Sequence, residues 1–489
     1  MTEKTKRGQT VKTVHEAARE IPVAYEADVV VVGGGPAGIG SALAAARTGA
    51  RTILLERFGC LGGMQSQCYN STFSLVDPEI QGGIVQEIIG RLKKDGAVHK
   101  DISDRTRLLD NMGAVYFDVE HYKYLLDNMM AEAGVKLMYH VLGVGAIREG
   151  NTLKGVLIES KESRQAILGK IIIDSTGDAD IAWKSGAPVM DEGYPRGPKK
   201  GRHMGLGYCF FIREVDVERF NKFRQENPDE WGQMFGSEKF IRKAIEEGKL
   251  YAIAPRAILR EYYGGGRIWV LAPRYPLPMG HHGWTVEDQT DGEIDMRKQA
   301  WSLHNLLKNN IPGFENSRID KTPTAPLLRD THRMIGEYVL TEEDIRQSRA
   351  FEDSIAVSNM FPDLFGPDDE YVTLRDTAPF DIPYRCLVSR EVENLMAAGS
   401  TISTELIVWA ATRYSAPSVC TGQAAGTAAA LAVKNKIAPK HLNVKLLQKK
   451  LQEDRVPTSI KYVPKNVLDE YHQSAERRRG GMKTYIKRI

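Results

Sequence analysis

The strongest apolar pattern in the chain lies near its N-terminus and predicts a strand, a turn, a helix and a second strand. Val29 to Val32 form a continuous β-branched run without polar alternation, which is typical of a parallel strand covered on both faces. An Ala-rich stretch that Gly49 can cap predicts a helix, and Thr52 to Leu55 predicts the next strand. The pattern DVVVVGGGPAGIGSALAAARTGARTILLE, Asp28 to Glu56, therefore predicts a βαβ unit.

The turn inside this unit has the spacing that binds the pyrophosphate of a dinucleotide. Gly33 permits the tight turn, Gly35 lets the backbone approach the phosphates, and Gly38 allows close packing of helix on strand. The helix N-terminus then faces the anion, and Glu56 would accept hydrogen bonds from the adenosine ribose. The strand before and the acid after it give this GxGxxG the context that a bare pattern lacks. The candidate contacts are Gly33, Gly35, Pro36, Ala37, Gly38 and Glu56.

A second glycine-rich turn, RFGCLGGM, follows Glu56 directly, where a domain for NAD would normally run into its next helix. Gly62 and Gly63 would give a second close backbone approach near the pyrophosphate and ribityl chain, with Met64 on the ring side. This favours FAD as the cofactor. The alternative is a plain surface loop, which glycine pairs often mark. The candidate contacts of this turn are Arg57, Gly62, Gly63 and Met64.

Two later strands end in segments that we expect beneath the same cofactor. Lys170 to Ser175 predicts a strand that runs into Thr176, Gly177 and Asp178. Asn394 to Gly399 predicts a short buried strand, which Ser400 follows. The candidate contacts are Thr176, Gly177, Asp178, Gly399 and Ser400.

Ser415 to Val433 predicts a helix rich in Ala and Gly. Its small residues from Gly422 to Gly426 would let it approach either a flat ring or a neighbouring helix. Contact of Gly422 with the cofactor and plain tight packing are both open interpretations, since small residues in helices often mean packing and no more.

These segments together resemble the FAD-dependent oxidoreductases of the glutathione-reductase-like superfamily, in particular a subfamily with a GCxGGM turn and a GQAAGTAAA helix. The likeness covers about residues 25–190 and 325–435, and includes RDTHRMIGEYVLTEEDI and IPYRCLVS. It implies an α/β fold, in which a Rossmann-like FAD-binding domain, a parallel sheet with helices on both faces, carries an inserted α+β substrate domain. Related proteins often have an acid or Arg where this chain has Ser400, so a polar contact there is less secure.

The resemblance also implies a division of the chain. We expect an N-terminal lead-in at 1–24, the FAD-binding domain at 25–194 and 381–437, and the substrate domain at 195–380. In that middle part, Gly207 to Arg213 and Arg267 to Ala272 read as strands and Ile294 to Lys308 as a helix. Residues 438–489 would form a helical basic extension, which we interpret as a solvated or subunit-bridging arm in a homo-oligomer; gripping an anionic partner is the alternative.

Composition limits the partners of the protein. A formal charge of +3 over 489 residues gives no argument for nucleic acid, and no apolar run has the length of a membrane span. Five scattered cysteines without CxxC pairs indicate reduced thiols in a cytoplasmic protein rather than a disulfide framework or a metal site. Seven residues separate Cys60 from Cys68, which is too wide for the redox disulfide of some members of the superfamily.

Proton transfer at a flavin needs an acid or base beside the reacting atoms. His203, His281, His282 and His332 are candidates because an ordinary histidine titrates near neutrality, although a lone histidine is more often structural. Tyr384 is a weaker candidate.

Positive charge is also expected near the flavin. Arg329 and Arg333 could bind a substrate carboxylate, or could share a helix and pair with Glu337. Arg413, just before the helix from Ser415, would add charge near the flavin N1 and C2 oxygen, as would the N-terminus of that helix. The candidate catalytic residues are His281, His282, His332, Arg333, Tyr384 and Arg413.

The pattern as a whole predicts an enzyme that transfers a hydride between flavin N5 and a small polar substrate. Oxidation of a C–OH bond, in a sugar-like or hydroxy-acid compound, or of a C–N bond is the leading hypothesis. Reduction of an activated C=C bond is the alternative, and a non-catalytic FAD-containing electron-relay or assembly subunit is the alternative of another class. No second GxGxxG occurs in the middle of the chain for a nicotinamide cofactor, so we expect a separate electron acceptor.

Overall fold

The computed structural model describes residues 13–101, 113–195, 200–231, 237–365, 371–373 and 376–481 of the chain. Half of the predicted N-terminal lead-in, residues 1–12, and the last basic residues of the predicted extension, 482–489, lie outside the described residues. Among the residues that are described, no helix combines the length and the apolar character that a membrane crossing requires.

Strands and helices alternate in the first part of the chain, as the apolar pattern predicts. The strands are β1 Val23–Val32, β2 Thr52–Leu55, β3 Thr72–Ser74, β4 Val98–Asp101, β5 Ala114–Phe117, β6 Lys136–Met138, β7 Leu142–Glu149, β8 Thr152–Glu159, β9 Arg164–Asp174, β10 Val189–Met190, β11 Leu206–Arg213, β12 Ile258–Glu261, β13 Ile268–Tyr275, β14 Arg318–Lys321, β15 Arg333–Met334, β16 Ser354–Ser358, β17 Asp363–Phe365, β18 Tyr371–Thr373, β19 Phe380–Pro383 and β20 Leu395–Ala397. The helices are α1 Pro36–Arg47, α2 Met64–Gln67, α3 Ile84–Lys94, α4 Val119–Glu132, α5 Asp180–Lys184, α6 Val217–Glu226, α7 Pro228–Trp231, α8 Glu238–Glu246, α9 Val286–Asn310, α10 Glu342–Arg346, α11 Leu406–Thr412, α12 Ser415–Asn435, α13 Val444–Glu453 and α14 Lys465–Gly481.

A seven-stranded sheet forms the centre of the molecule, in the order β6-β2-β1-β9-β8-β7, with β20 beside β9. The pairs of β1 with β2 and β9, of β2 with β6 and of β9 with β20 are parallel, and β8 is antiparallel to both its neighbours. Val29 to Val32 are all buried in this sheet, because both of its faces are covered. The predicted α/β class with a parallel-dominated sheet is confirmed.

Helices α1 and α12 pack with their backbones in near contact. A Cβ built on Gly422 would lie 2.1 Å from the Ala37 carbonyl oxygen, and one on Gly426 would lie 2.0 Å from that of Ser41. Gly40 of α1 meets α12 in the same way, since a Cβ there would lie 2.4 Å from the Val419 carbonyl oxygen. The small residues of α12 therefore serve helix packing. The expected contact of Gly422 with the cofactor is corrected, because its side-chain position faces α1.

A second apolar core lies under a four-stranded antiparallel sheet, in the order β12-β13-β11-β14. Its buried members run from Leu206 to Phe314, and α9 packs on β13. Buried apolar residues between Met334 and Phe380 belong instead to the core of the large sheet. The domain boundaries at 194/195 and 380/381 stay a prediction. The second apolar core covers a shorter part of the chain than the predicted segment 195–380.

Candidate functional site

A cavity of about 320 Å³ opens at the carboxyl ends of β1, β2 and β9. Ligands of parallel α/β sheets bind in this position, outside the carboxyl ends of the strands. Three turns predicted from the sequence meet in its wall. The predicted residues that line the cavity are Gly33, Gly35, Pro36, Ala37, Glu56, Arg57, Gly63, Met64, Thr176, Gly177, Asp178, Ser400 and Arg413.

The three glycines of the first turn have different surroundings. Gly33 has φ of +100°, in the region that favours glycine, and a Cβ on it would lie 2.4 Å from the Ser175 carbonyl oxygen. Gly38 does not line the cavity, and a Cβ on it would lie 1.8 Å from the Gly33 carbonyl oxygen. Gly35 has extended backbone, and a Cβ on it would meet only the Gly63 Cα, at 3.9 Å. Gly33 and Gly38 thus hold the turn together, while Gly35 keeps the cavity open.

Glu56 stands at the end of β2 with 5% of its surface exposed. Its two carboxylate oxygens accept hydrogen bonds from the backbone N–H groups of Gly34, at 2.7 Å, and Phe58, at 2.8 Å. Burial raises the pKa of Glu56, although these two N–H donors oppose the shift. The carboxylate is therefore fixed in the cavity wall, and each oxygen keeps a second lone pair for a ribose hydroxyl.

The second turn is part of the cavity wall and not a surface loop. Gly62 and Gly63 have φ of +106° and +51°, and the Gly62 N–H donates to the Gly34 carbonyl at 2.9 Å. This bond ties the second turn to the first. Gly62 itself does not line the cavity, because a Cβ on it would press against Ser66 and Tyr122.

The third turn follows β9. Asp174 is buried and accepts hydrogen bonds from the backbone N–H groups of Ile181 and Ala182, both at 2.8 Å, which fix the segment from Thr176 to Asp180. Burial and the Asp180 carboxylate raise the pKa of Asp178 to about 6, while Arg57 and Thr331 act in the opposite direction. An acidic group with a raised pKa thus faces the cavity here.

The strand β20 ends on the opposite side of the third turn. The Ser400 hydroxyl donates to the Gly177 carbonyl at 3.1 Å. Gly399 does not line the cavity: it has φ of +77°, and a Cβ on it would lie 2.6 Å from that of Ala37. Gly399 is therefore a packing glycine rather than a cofactor contact.

The residues present fit a bound dinucleotide. Gly35 leaves room for phosphate beside the N-terminus of α1, and the first turn of α12, with Ser415 and Ser418, also borders the cavity. The positive ends of two helix dipoles and the carboxylate of Glu56 form a donor and acceptor set that matches a pyrophosphate and a ribose.

Arg329 and Arg413 line the cavity as neighbours, and Arg260 lines it as well, over the ring of Tyr116. Arg274 stands behind Arg329: a Cβ on Gly207 would lie 3.1 Å from Nη2 of Arg329 and 3.2 Å from Nη1 of Arg274. Burial, Arg274 and Arg413 lower the pKa of Arg329 to about 9. Burial alone lowers the pKa of Arg260 to about 10. Burial and two neighbouring guanidinium groups thus disfavour the charged form of Arg329.

Aromatic and acidic side chains surround Arg413. The Arg413 guanidinium lies over the rings of Trp409, at 5.1 Å, and Tyr414, at 4.9 Å. The Tyr414 hydroxyl donates to Oδ2 of Asp363 at 2.5 Å. Oδ1 of Asp363 is buried and has no hydrogen-bond partner among the described residues. Asp363 lines the cavity and is thus a carboxylate with one oxygen available to a ligand.

None of the predicted histidines lines this cavity in the described part of the chain. Nδ1 of His281 lies 2.5 Å from Oδ1 of Asp288, and His282, His203 and His332 gather around Asp191. Burial lowers the pKa of His203, but Asp330 and Asp191 outweigh it, and the net shift is upward. The structure gives no support to proton transfer by His281, His282 or His332, because none of them lines the cavity and each has a carboxylate partner.

Two other predicted catalytic residues have structural partners. Arg333 is 1% exposed and its guanidinium donates to the Thr404 carbonyl and to Glu192, at 3.0 and 2.5 Å. It begins strand β15, so the helix that would pair it with Glu337 does not form. Tyr384 is buried, and its hydroxyl donates to the Pro439 carbonyl at 2.9 Å. Neither lines the cavity.

The five cysteines are free thiols. Cys68 lines the cavity beside Met64, and its thiol donates to the Ala325 carbonyl at 3.0 Å. Cys60 instead accepts a hydrogen bond from the Gln67 amide. Burial raises the pKa of Cys68 well above its usual range, which keeps it a thiol.

The sequence reasoning missed Arg260, Arg274 and Asp363. Arg260 and Arg274 lie in strands β12 and β13 among apolar residues. A cationic residue within an apolar strand is the sequence feature that could have identified them. Asp363 begins the short strand β17 and carried no pattern of its own.

Comparison with known proteins identifies the family. The family model described as FAD dependent oxidoreductase matches residues 28–451, and the chain belongs to this family. The protein is therefore an enzyme, an oxidoreductase with FAD as its cofactor, as the turns predict. The narrower resemblance to the glutathione-reductase-like superfamily stays a prediction.

The fold also resembles solved structures at low sequence identity. A p-nitrophenol 4-monooxygenase from Pseudomonas putida is 11% identical, with a TM-score of 0.48 over 94% of this chain and 90% of that one. A geranylgeranyl bacteriochlorophyll reductase-like protein from Thermoplasma acidophilum is 13% identical, with a TM-score of 0.42 over 93% and 99% of the two chains. Similarity at this level carries no argument about substrate or reaction. Comparison with curated protein sequences finds no match.

Proposed function

We propose that the enzyme oxidises a C–OH or C–N bond of a small carboxylate-bearing compound, such as a hydroxy acid or an amino acid. FAD supplies the hydride acceptor of this reaction when it is bound. The adenosine ribose would be held by Glu56, the pyrophosphate by the turn at Gly35 and the N-terminus of α1, and the substrate by the guanidinium cluster around Arg329. The single observation that carries the proposal is the grouping of the Arg274 and Arg413 guanidinium groups around Arg329 at the cavity.

The charge of the cluster determines the class of substrate. Arg274 and Arg413 both act on Arg329, and Asp363 lies beside them, with its Oδ2 3.7 Å from the Arg413 guanidinium. Guanidinium groups bind carboxylates through two parallel hydrogen bonds, which fix orientation as well as affinity. A monoanionic substrate bound at Arg329 would offset the electrostatic cost that lowers the pKa of this residue.

Asp363 replaces the histidines as the proposed proton acceptor. Its Oδ1 is buried without a hydrogen-bond partner among the described residues, while Oδ2 is held by Tyr414. Oxidation of a hydroxyl or ammonium group releases a proton, which Oδ1 would accept. The hydrogen bond from Tyr414 keeps the carboxylate in place during the transfer.

The N-terminus of α12 and Arg413 are the groups we assign to the flavin ring. Ser415 begins the helix and borders the cavity, so its backbone amides would favour negative charge on the reduced ring. This gives Arg413 and Arg329 different roles, which experiment can separate.

The first test is the anaerobic addition of hydroxy acids and amino acids to the oxidised enzyme. Loss of the visible flavin absorption with an acid, and none with its methyl ester, supports oxidation of a carboxylate-bearing substrate. Reoxidation of dithionite-reduced enzyme by an unsaturated acid, without reduction by any hydroxy or amino acid, would support the alternative, reduction of an activated C=C bond. Equal rates with an acid and its ester would refute the role of the guanidinium cluster.

The second test separates the two arginines. Arg329→Gln should raise KM for the acid substrate about 10- to 100-fold, because a charged hydrogen bond contributes about 1.5–3 kcal/mol. The flavin midpoint potential should stay unchanged. Arg413→Gln should lower that potential. Arg219→Gln, at an exposed pair with Glu315, is the matched control and should change neither quantity.

Other aspects of the function follow from the same assignment. The part of the middle segment before Met334 supplies Arg260, Arg274 and Arg329, which supports its assignment as the substrate domain, whereas Asp363 stands beside Leu364 in the core of the large sheet. The family match makes the protein an enzyme, so the non-catalytic alternative is set aside. The separate electron acceptor, a homo-oligomeric state and a cytoplasmic location stay predictions.

A further inference from the structure

Three histidines and two carboxylates form a cluster outside the cofactor cavity, with His203 and Asp330 buried and Asp191 and His282 each 15% exposed. Nε2 of His203 lies 3.5 Å from Oδ1 of Asp191, Nδ1 of His282 lies 3.2 Å from Oδ2, and Nε2 of His332 lies 3.6 Å from Oδ2. The cluster has no role in the function proposed above.

The donor atoms have the separations of a metal site. The ligand atoms of Asp191, His203 and His282 all lie within 4.8 Å of one another. Tetrahedral zinc with bonds of about 2.0–2.1 Å to nitrogen and oxygen places its ligand atoms about 3.3–3.4 Å apart. Oδ1 of Asp191 lies 3.5 Å from Nε2 of His203 and 3.3 Å from Nδ1 of His282, which agrees with this value.

A second carboxylate supports the same interpretation. Nδ1 of His203 lies 3.2 Å from Oδ2 of Asp330, on the side of the ring opposite Asp191. A metal-bound histidine commonly gives its other ring nitrogen to a carboxylate, which fixes its tautomer and orientation. His203 and Asp330 are each 2% exposed, and the Met204 N–H donates to the other oxygen of Asp330 at 2.6 Å. The two charged groups are close enough to attract each other, although Nδ1 of His203 and Oδ2 of Asp330 make no hydrogen bond of regular geometry among the described residues.

Aromatic rings cover the cluster on another side. His332 stacks on Trp183 at 5.1 Å, and Trp284 lies 5.4 Å from His332 and 5.8 Å from His282. Imidazole and carboxylate donors together suit zinc and similar divalent transition metals rather than calcium or magnesium.

We propose that Asp191, His203 and His282 bind a structural zinc ion, with His332 or water at the fourth position. The ion would connect the segment after β10, the segment before β11 and the turn before α9. Through the neighbouring Asp330 it would also steady the segment that carries Arg329 into the cavity. A structural role follows from the position of the cluster, since none of its members lines the cofactor cavity.

The test measures metal bound by the full-length holoenzyme. After treatment with a chelator, incubation with Zn²⁺ and desalting, mass spectrometry of the metal content should find one zinc ion per chain. His282→Ala should lose this zinc while its flavin content stays unchanged. His281→Ala is the matched control, because His281 is paired with Asp288 outside the cluster, and it should keep the zinc.

A second measurement does not depend on any variant folding correctly. Addition of Co²⁺ to the chelator-treated wild-type protein should give the intense visible absorption of a tetrahedral cobalt site, and Zn²⁺ should remove it. Absence of that absorption together with no zinc retained by the wild type would overturn the proposal and leave the cluster as a hydrogen-bond network. Equal zinc in wild type and His282→Ala would also overturn it.

Discussion

Substitution of Gly35 by valine isolates the contact between the first turn and the cofactor. Gly35 has φ of −72° and ψ of −176°, which any residue adopts, and the nearest protein atom to a Cβ there is 3.9 Å away. Valine therefore fits the protein without strain, but its side chain occupies the cavity. We expect the apoprotein to fold with a stability within about 1 kcal/mol of the wild type.

The loss should fall on FAD binding. A side chain at this position keeps a phosphate from the backbone N–H groups at the start of α1. Loss of two charge-assisted hydrogen bonds, at about 1.5–3 kcal/mol each, weakens binding by about 3–6 kcal/mol. This corresponds to an increase of about 10²- to 10⁴-fold in the Kd for FAD.

The assay is a titration of apoprotein with FAD, followed by flavin fluorescence, beside urea denaturation of the same apoprotein. Gly90→Val is the matched control, because Gly90 is exposed on α3 and nothing lies within 4 Å of a Cβ there. Wild-type affinity in Gly35→Val would refute the assignment of this turn. An unfolded apoprotein would instead show that the turn is packed more tightly than the structure indicates.

Three further predictions address other parts of the account. Glu56→Gln should weaken FAD binding by about 1–3 kcal/mol. In the wild type, FAD affinity should decrease when the pH is lowered toward the raised pKa of Glu56, because the carboxylate becomes protonated; an affinity independent of pH would contradict this. Asp178→Asn should stabilise the apoprotein at pH 7 by up to about 3 kcal/mol, the value of a pKa raised from 3.8 to about 6. The raised pKa costs stability above pH 6, and the cost is relieved as pH falls, so urea denaturation between pH 4 and 7 should show a smaller pH dependence in the variant. Gly422→Val should unfold the protein or cost more than about 3 kcal/mol, because its side chain would meet the Ala37 carbonyl; a stable variant in the same denaturation assay would contradict the packing of α1 on α12.

The sequence predicted those parts of the site that are local in the chain. Val29 to Val32, the turn at Gly33 and Glu56 lie within 28 residues, and each step follows from strand, turn and helix rules. For α12 the sequence left two interpretations open, contact with the cofactor or with a helix, because small residues do not indicate which surface they contact. The structure shows packing against helix α1, because Gly422 faces Ala37.

The substrate end of the cavity was beyond these rules, because its residues come from distant segments. Arg329 meets Asp363 and Arg413 only in the folded chain, where segments far apart in sequence line one cavity. The sequence analysis proposed Arg329 as a ligand of a substrate carboxylate, but together with Arg333. Proximity in the chain suggested that pair, whereas the fold sends Arg333 to Glu192.

The histidines failed as catalytic candidates for a related reason. Their usual pKa suits proton transfer, but a residue type does not determine which cavity it faces. His203 and His332 have 128 residues between them, yet with His282 they converge on Asp191, and none of the three lines the cavity. The chemistry of these histidines is indicated by their common position around Asp191 and not by any one of them alone.

A crystal structure of the enzyme with FAD tests the central claim most directly. The account predicts the adenosine ribose within hydrogen-bond distance of Glu56, the pyrophosphate against Gly35, and the isoalloxazine ring at the end of the cavity bordered by Arg329, Asp363 and Arg413. A flavin bound in the reverse direction, or in another part of the protein, would contradict the account.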